Sequence, residues 1–113
     1  MKDLSFFNKI YIATCPVDFR KQAHGLATLV QHRLDLPSTE RKHLFVFTNK
    51  KISAVKAFYW DDTGYALWWK TLEKEKFRWP KRGEQVCNID AKELRWLLEG
   101  IDLTKVKKHK KLM

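Results

Sequence analysis

The sequence predicts an α+β fold: a single small domain with an antiparallel or mixed β-sheet, two main helices and a basic C-terminal tail. Short β-branched and aromatic runs recur at Lys9–Ala13, Leu44–Phe47, Ile52–Trp60 and Tyr65–Leu72. Two other stretches carry apolar residues at three- and four-residue spacing, the signature of an amphipathic helix. The order strand, helix, several strands, helix places the chain in the α+β class.

The first strand, Lys9-Ile10-Tyr11-Ile12-Ala13, is closed by Thr14-Cys15-Pro16, because proline cannot donate to a ladder. Asp18 is placed to cap a helix beginning at Phe19, whose apolar positions are Phe19, Ala23, Leu26, Ala27, Val30 and Leu34. Gly25 is its one weak point. A polar connection, Leu36 to Lys42 with Pro37 inside it, leads to Leu44-Phe45-Val46-Phe47, which reads as a buried central strand. Asn49-Lys50-Lys51 turns the chain into Ile52–Trp60, a β-rich segment interrupted by Lys56, so these two strands form a hairpin.

Asp61-Asp62-Thr63-Gly64 is a turn by composition, and Tyr65-Ala66-Leu67-Trp68-Trp69-Lys70-Thr71-Leu72 follows as another aromatic strand. Periodicity alone leaves helix open as an alternative there. Glu73 to Lys76 reverses the chain into Phe77-Arg78-Trp79-Pro80. Beyond the loop at Lys81–Glu84, Asp90-Ala91-Lys92-Glu93 resembles a capping box, and Leu94, Leu97, Leu98 and Ile101 form the apolar stripe of a last helix that Gly100 is placed to end. Of Trp96 and Leu97, at least one faces the core.

At 113 residues, with 44% hydrophobic and 32% charged residues, the chain can build one core and bury roughly two-thirds of its unfolded surface. That excludes a catalytic domain joined to a binding domain. Residues 1–104 form the domain and residues 105–113 the tail. No stretch reaches the ~20 apolar residues of a membrane span, and the N-terminus lacks the apolar run of a signal peptide. Cys15 and Cys87 have no paired spacing, so two buried free thiols in a reducing cytoplasm are expected.

Lys+Arg outnumber Asp+Glu by 23 to 13, a net charge of +10, which favours an anionic partner. The excess is unevenly placed. Lys105, Lys107, Lys108, Lys110 and Lys111 follow one another with no acid between them, leaving 18 basic and 13 acidic residues through Thr104.

Six short motifs in order carry a family resemblance: Asp18-Phe19-Arg20-Lys21 with Gly25-Leu26 and Leu29-Val30; Leu44-Phe45-Val46-Phe47; Tyr59-Trp60-Asp61 with Gly64; Leu67-Trp68-Trp69-Lys70 with Leu72-Glu73; Phe77-Arg78-Trp79-Pro80; and Leu97 to Asp102. Across Val17 to Ile101 the chain resembles the small accessory transposition protein of bacterial insertion sequence 66 type elements, called TnpB or Orf2-like. It departs from the family pattern at Phe19, where methionine is more usual, at Asp62, where glycine is, and at Thr71, where the family carries arginine. The resemblance implies a mobile-element protein that works beside a separate, larger DDE-type transposase. It does not extend to the RNA-guided nucleases that share the TnpB name, and it leaves the physical mechanism open.

Catalysis finds no constellation in the residues. Metal-assisted phosphoryl transfer needs carboxylates converging on a divalent ion, and the candidates Asp18, Asp61 and Asp62 are explained by helix capping and turn chemistry. His24, His32, His43 and Cys87 lack metal-ligand spacing, and the four glycines are scattered. No catalytic residue, metal or cofactor is expected.

Phosphate binding asks less, since positioned cations suffice. The tail lysines Lys105, Lys107, Lys108, Lys110 and Lys111 suit non-specific backbone contact, with a solvated solubility tail as the alternative. A second surface is a hairpin in which Trp68, Trp69 and Lys70 face Phe77, Arg78 and Trp79. Strand alternation separates Trp69 from Trp68 and Lys70, and an exposed tryptophan beside Lys70 and Arg78 suits the stacking of an unpaired base. Core packing of these rings is the competing reading. Arg20, Lys21 and Arg33 form a third basic group. The reading is therefore a non-enzymatic accessory protein of transposition that binds DNA through Arg20, Lys21, Lys70, Arg78 and the tail, with Trp68, Trp69 and Trp79 as its aromatic surface, and that contacts the transposase. A transposase adaptor without DNA affinity and an RNA-binding regulator of the element stand beside it.

Overall fold

A computed structural model describes residues 3–72, 79–80 and 86–99. Five strands, β1 (Lys9–Ala13), β2 (His43–Thr48), β3 (Ala54–Trp60), β4 (Tyr65–Thr71) and β5 (Val86–Ile89), form one sheet in the order β4-β3-β2-β1-β5. β1 and β2 run parallel and every other pair is antiparallel, so the sheet is mixed. Helix α1 (Ala23–His32) covers one face and α2 (Ala91–Leu98) the other.

The Leu44-Phe45-Val46-Phe47 run is β2, the middle strand, and an uninterrupted apolar run is what a strand covered on both faces requires. Its odd residues, Phe45 and Phe47, pack with Phe58, Leu26, Leu29 and Val30 beneath α1. Its even residues, Leu44 and Val46, pack with Ile10, Ile12, Val55, Tyr59, Leu94 and Leu97 beneath α2. A short 3-10 turn at Leu4–Phe6, for which the sequence gives no expectation, adds Leu4 and the following Phe7 to that second core.

Several expectations need correction. Helix α1 starts at Ala23, four residues after the expected Phe19, and Asp18 does not cap it. The Asp18 carboxylate is used locally on the Arg20 amide and guanidinium, while the Phe19 and Lys21 carbonyls accept from the buried Lys56 ammonium. Those carbonyls are then unavailable to a helix ladder. At its other end α1 stops at His32, and Asp35, in the left-handed region with φ 54°, takes the chain away. Strand β5 has no local signature, because Val-Cys-Asn-Ile is too short and too polar to stand out without its partner β1.

The turns at Asn49 and at Asp61–Gly64 form where composition placed them, although Ile52, expected to open the next strand, still belongs to the first turn and β3 begins at Ala54; the reversals expected at Glu73–Lys76 and Lys81–Glu84 lie outside the described residues. Asn49 Oδ1 accepts from the Ser53 and Ala54 amides and holds the β2–β3 turn, with Ile52 at φ 55°. Asp62, where the resembling family more often has glycine, lies at φ 63°, a backbone region in which glycine is unstrained. The Tyr65–Leu72 segment is a strand to Thr71, paired with β3 along its whole length. Helix α2 carries the expected capping box: the Glu93 amide donates to Asp90 Oδ1 and the Asp90 amide to Glu93 Oε1. Leu97 is fully buried and Trp96 half-buried, as the stripe required. Cys15 is exposed and Cys87 only half-buried, so the expectation of two buried thiols fails.

Candidate nucleic-acid interface

Because β1 and β2 are parallel while β3 and β4 reverse in turn, the segments 14–22, 49–53 and 69–72 meet at one end of the sheet. Two bonds tie that end together: the Val17 amide donates to the Thr48 carbonyl at 2.8 Å and the Leu72 amide to the Ser53 carbonyl at 2.8 Å. This topology brings Arg20, Lys21, Lys50, Lys51, Lys56 and Lys70 to the same end of the sheet, with Asp18 the one carboxylate in segments 14–22, 49–56 and 69–72. The opposite end is balanced. There Lys9, Arg41 and Lys42 meet Glu40, Asp61, Asp62 and Asp90, and Arg41 pairs with Asp62 at 3.2 Å. Lys50 and Lys51 carry only a turn signal in the sequence; that they join the basic end follows from strand pairing, which no local pattern shows.

Lys56 organises the site. It lies inside β3 on the α1 face, is fully buried, and its Nζ donates to the carbonyls of Phe19 at 2.8 Å and Lys21 at 3.0 Å. Its ammonium also stands 4.8 Å from the centre of the Phe19 ring and 4.5 Å from that of Trp69. A buried ammonium without a bonded carboxylate must be repaid by such dipoles and π faces. Burial nonetheless pushes the Lys56 ammonium below the ordinary lysine pKa, opposed by the Asp18 charge. The residue that seemed to interrupt a strand thus fastens the 18–21 turn to the sheet.

Within that turn, Asp18 accepts the Arg20 guanidinium through both oxygens, at 2.6 Å for the closest approach, and the Arg20 backbone amide at 2.9 Å. These bonds hold the Asp18 carboxyl far below the usual carboxylate range and raise Arg20 in return. Gly25 packs closely on this turn: a Cβ there would lie 3.2 Å from Lys21 Cβ, so Lys21 would have to shift by a few tenths of an ångström.

Strand alternation divides the remaining residues. Trp69 shares the α1 face with Lys56 and is 53% exposed, with Phe19 edge-on at 5.9 Å. Trp68 and Lys70 lie on the α2 face. Trp68 packs half-buried on the core there, and Lys70 Nζ donates to the Leu98 carbonyl at 3.0 Å, which ties it to the C-terminus of α2. Trp79 is not an aromatic surface residue. It is buried, and its Nε1–H donates to the Ala13 carbonyl at the end of β1, three strands from β4. The expected facing of Trp79 with Trp68–Lys70 therefore does not form. Phe77, Arg78 and the tail lysines Lys105, Lys107, Lys108, Lys110 and Lys111 lie outside the described residues. Arg33 lines a small cavity of about 60 Å³ with Cys15 and Val17. Among the described residues, no three of His, Cys, Asp and Glu come together as a metal site; His24 sits against Tyr65 and His43 against Tyr11 and Phe45. Among those residues no helix is long and apolar enough to cross a membrane.

The sequence model of the IS66 Orf2-like protein family matches residues 8–108. This chain belongs to that family. The IS66 Orf2-like chain is similar to the uncharacterized protein y4jC of Sinorhizobium fredii, 36% identical over 100 residues that cover 88% of this chain and 85% of that protein. It is also similar to the uncharacterized protein y4hO of the same organism, 34% identical over 94 residues covering 83% and 81%. No solved structure matches it. Family membership gives the IS66 Orf2-like chain an accessory role in transposition of an insertion sequence. Its Asp18-Phe19-Arg20-Lys21 motif is the turn fastened by Lys56, and its Leu67-Trp68-Trp69-Lys70 motif is the strand opposite.

Proposed function

We propose that this protein is a non-enzymatic factor that holds DNA for the element's DDE-type transposase through the basic end of its sheet and its lysine-rich tail. The observation that carries this reading is the charge at one end of the sheet, where among the described residues Arg20, Lys21, Lys50, Lys51 and Lys70, with Lys56 buried behind them, stand against the single carboxylate of Asp18, whereas Lys9, Arg41 and Lys42 at the opposite end stand against four carboxylates. Cations fixed on a rigid sheet end neutralise phosphates and release their counterions without reading sequence. The tail adds five lysines to the same kind of contact.

The test is titration of the purified protein into a labelled duplex bearing an end of its parent element and into a scrambled duplex, at low and near-physiological salt. Comparable binding that collapses with salt is expected, with log K falling by about 0.9 per phosphate neutralised for each decade of salt. Deleting residues 105–113 should weaken both duplexes alike. Absence of binding to either overturns the reading and leaves an adaptor of the transposase. That second reading has its own support, since among the described residues nothing pairs with the outer edge of β4, and unpaired edges accept strands from partners.

A further inference from the structure

Trp69 is the one large hydrophobic side chain exposed among the described residues, and it is exposed in a fixed pose. Its backbone pairs with Lys56 in β3, the Phe19 ring meets it edge-on at 90°, and the Lys56 ammonium stands 4.5 Å from its centroid. We propose that the exposed part of the Trp69 indole is a stacking platform for one unpaired nucleobase, with Lys21 holding the adjoining phosphate. The inference rests on the DNA reading above and adds the strandedness of the ligand and the ring that receives it.

Three features select that ligand. A half-exposed indole whose backbone is paired in the sheet and whose ring is already flanked by Phe19 and Lys56 loses little freedom on binding, so apolar area covered by a ligand is gained at small entropic cost. The ring's electron-rich π cloud is already engaged by the Lys56 ammonium, and that charge has no bonded carboxylate among the described residues, so a second cation approaching the indole meets repulsion. An arginine or lysine from a protein partner is therefore a poor occupant, whereas a neutral base is a good one. The surrounding charge then asks for anions beside that base: Lys21 has no ion pair at salt-bridge distance among the described residues, and Lys50 and Lys51 extend the positive rim. A flat neutral ring flanked by phosphates is a nucleotide of a single strand, since in a duplex both faces of an internal base are covered by its neighbours.

The experiment measures binding of a labelled single-stranded oligo-dT of about 12 nucleotides, within the span one small domain covers. An abasic strand of equal length and a duplex are measured beside it, for the wild type, Trp69→Ala, Trp69→Phe and Lys21→Ala, with melting curves confirming that each variant folds. Trp69→Ala should weaken oligo-dT about 5- to 100-fold, the loss of one stacked base, and leave abasic and duplex binding unchanged. Trp69→Phe should keep most of the affinity, Lys21→Ala should weaken all three ligands, and the abasic strand should bind wild type as weakly as oligo-dT binds Trp69→Ala. The proposal is overturned if wild type holds abasic and base-bearing strands equally, a comparison that needs no variant. It is equally overturned if Trp69→Ala keeps full affinity for oligo-dT while losing a purified transposase, which would make the ring a protein contact. Retained duplex binding in either case leaves the DNA reading standing; loss of all three ligands in the wild type removes both.

Discussion

Lys56 and Trp69 stand opposite each other as paired residues of neighbouring antiparallel strands, with the Lys56 ammonium 4.5 Å from the centre of the indole. The same ammonium bonds the carbonyls of Phe19 and Lys21, so one buried charge fixes both the aromatic ring and the basic turn beside it. This relationship brings the segment around Asp18 and the segment around Trp69, far apart in sequence, together at one end of the sheet.

Replacing Lys56 by methionine keeps the aliphatic stem and removes the donor. The Arg20 and Lys21 amides, which now lie in a turn with unfastened carbonyls, should exchange hydrogen faster, while β2 amides keep their protection. The pH dependence has a definite sign. Burial lowers the folded-state pKa of Lys56 below the ordinary 10.5, so between the two values the unfolded chain holds more protons and stability rises with pH. That rise should be present in wild type, level off above the ordinary lysine pKa, and be missing from Lys56→Met. Parallel urea-melt profiles for the two proteins up to that pH would refute the burial of this charge.

Trp79 joins the segment before β5 to the end of β1 through its Nε1–H bond of 2.9 Å to the Ala13 carbonyl. Trp79→Phe leaves that acceptor without its indole donor and opens space in the core under α2. A loss of about 1–3 kcal/mol is expected in chemical unfolding, from the hydrogen bond and the desolvated group. Binding to oligo-dT should stay at the wild-type level, because Trp79 is buried away from Trp69; a selective loss of binding without a loss of stability would put the indole back on the surface.

Leu97 is fully buried beneath α2 and Arg95 on the same helix is exposed. Leu97→Ala should cost about 2–5 kcal/mol, the price of a large core truncation. Arg95→Ala should stay within about 0.5 kcal/mol, as surface substitutions do. Equal effects from the two would show that the phase of the helix is wrong.

Much of the fold was legible because its signals are local. The apolar run at Leu44–Phe47 marks a strand covered on both faces, the capping box at Asp90 and Glu93 marks the start of α2, and the Asn49 and Asp61–Gly64 turns mark reversals. The candidate site was legible only in part. Alternation correctly parted Trp69 from Trp68 and Lys70, yet nothing local said which ring would stay exposed, and the apolar period at Phe19–Leu34 ran through a turn that is not helical.

By itself the sequence determined the class of the domain, its element order, its positive charge and its family, since composition, periodicity and motif spacing are properties of neighbouring residues. The tertiary structure alone decided that Lys56 is a buried clasp, that Trp79 belongs to the core, and that Lys50 and Lys51 join Arg20 and Lys21 at one end of the sheet. Those outcomes depend on strand order and on carbonyls brought from over thirty residues away to satisfy one buried ammonium, and a desolvated charge is stable only where such long-range partners converge.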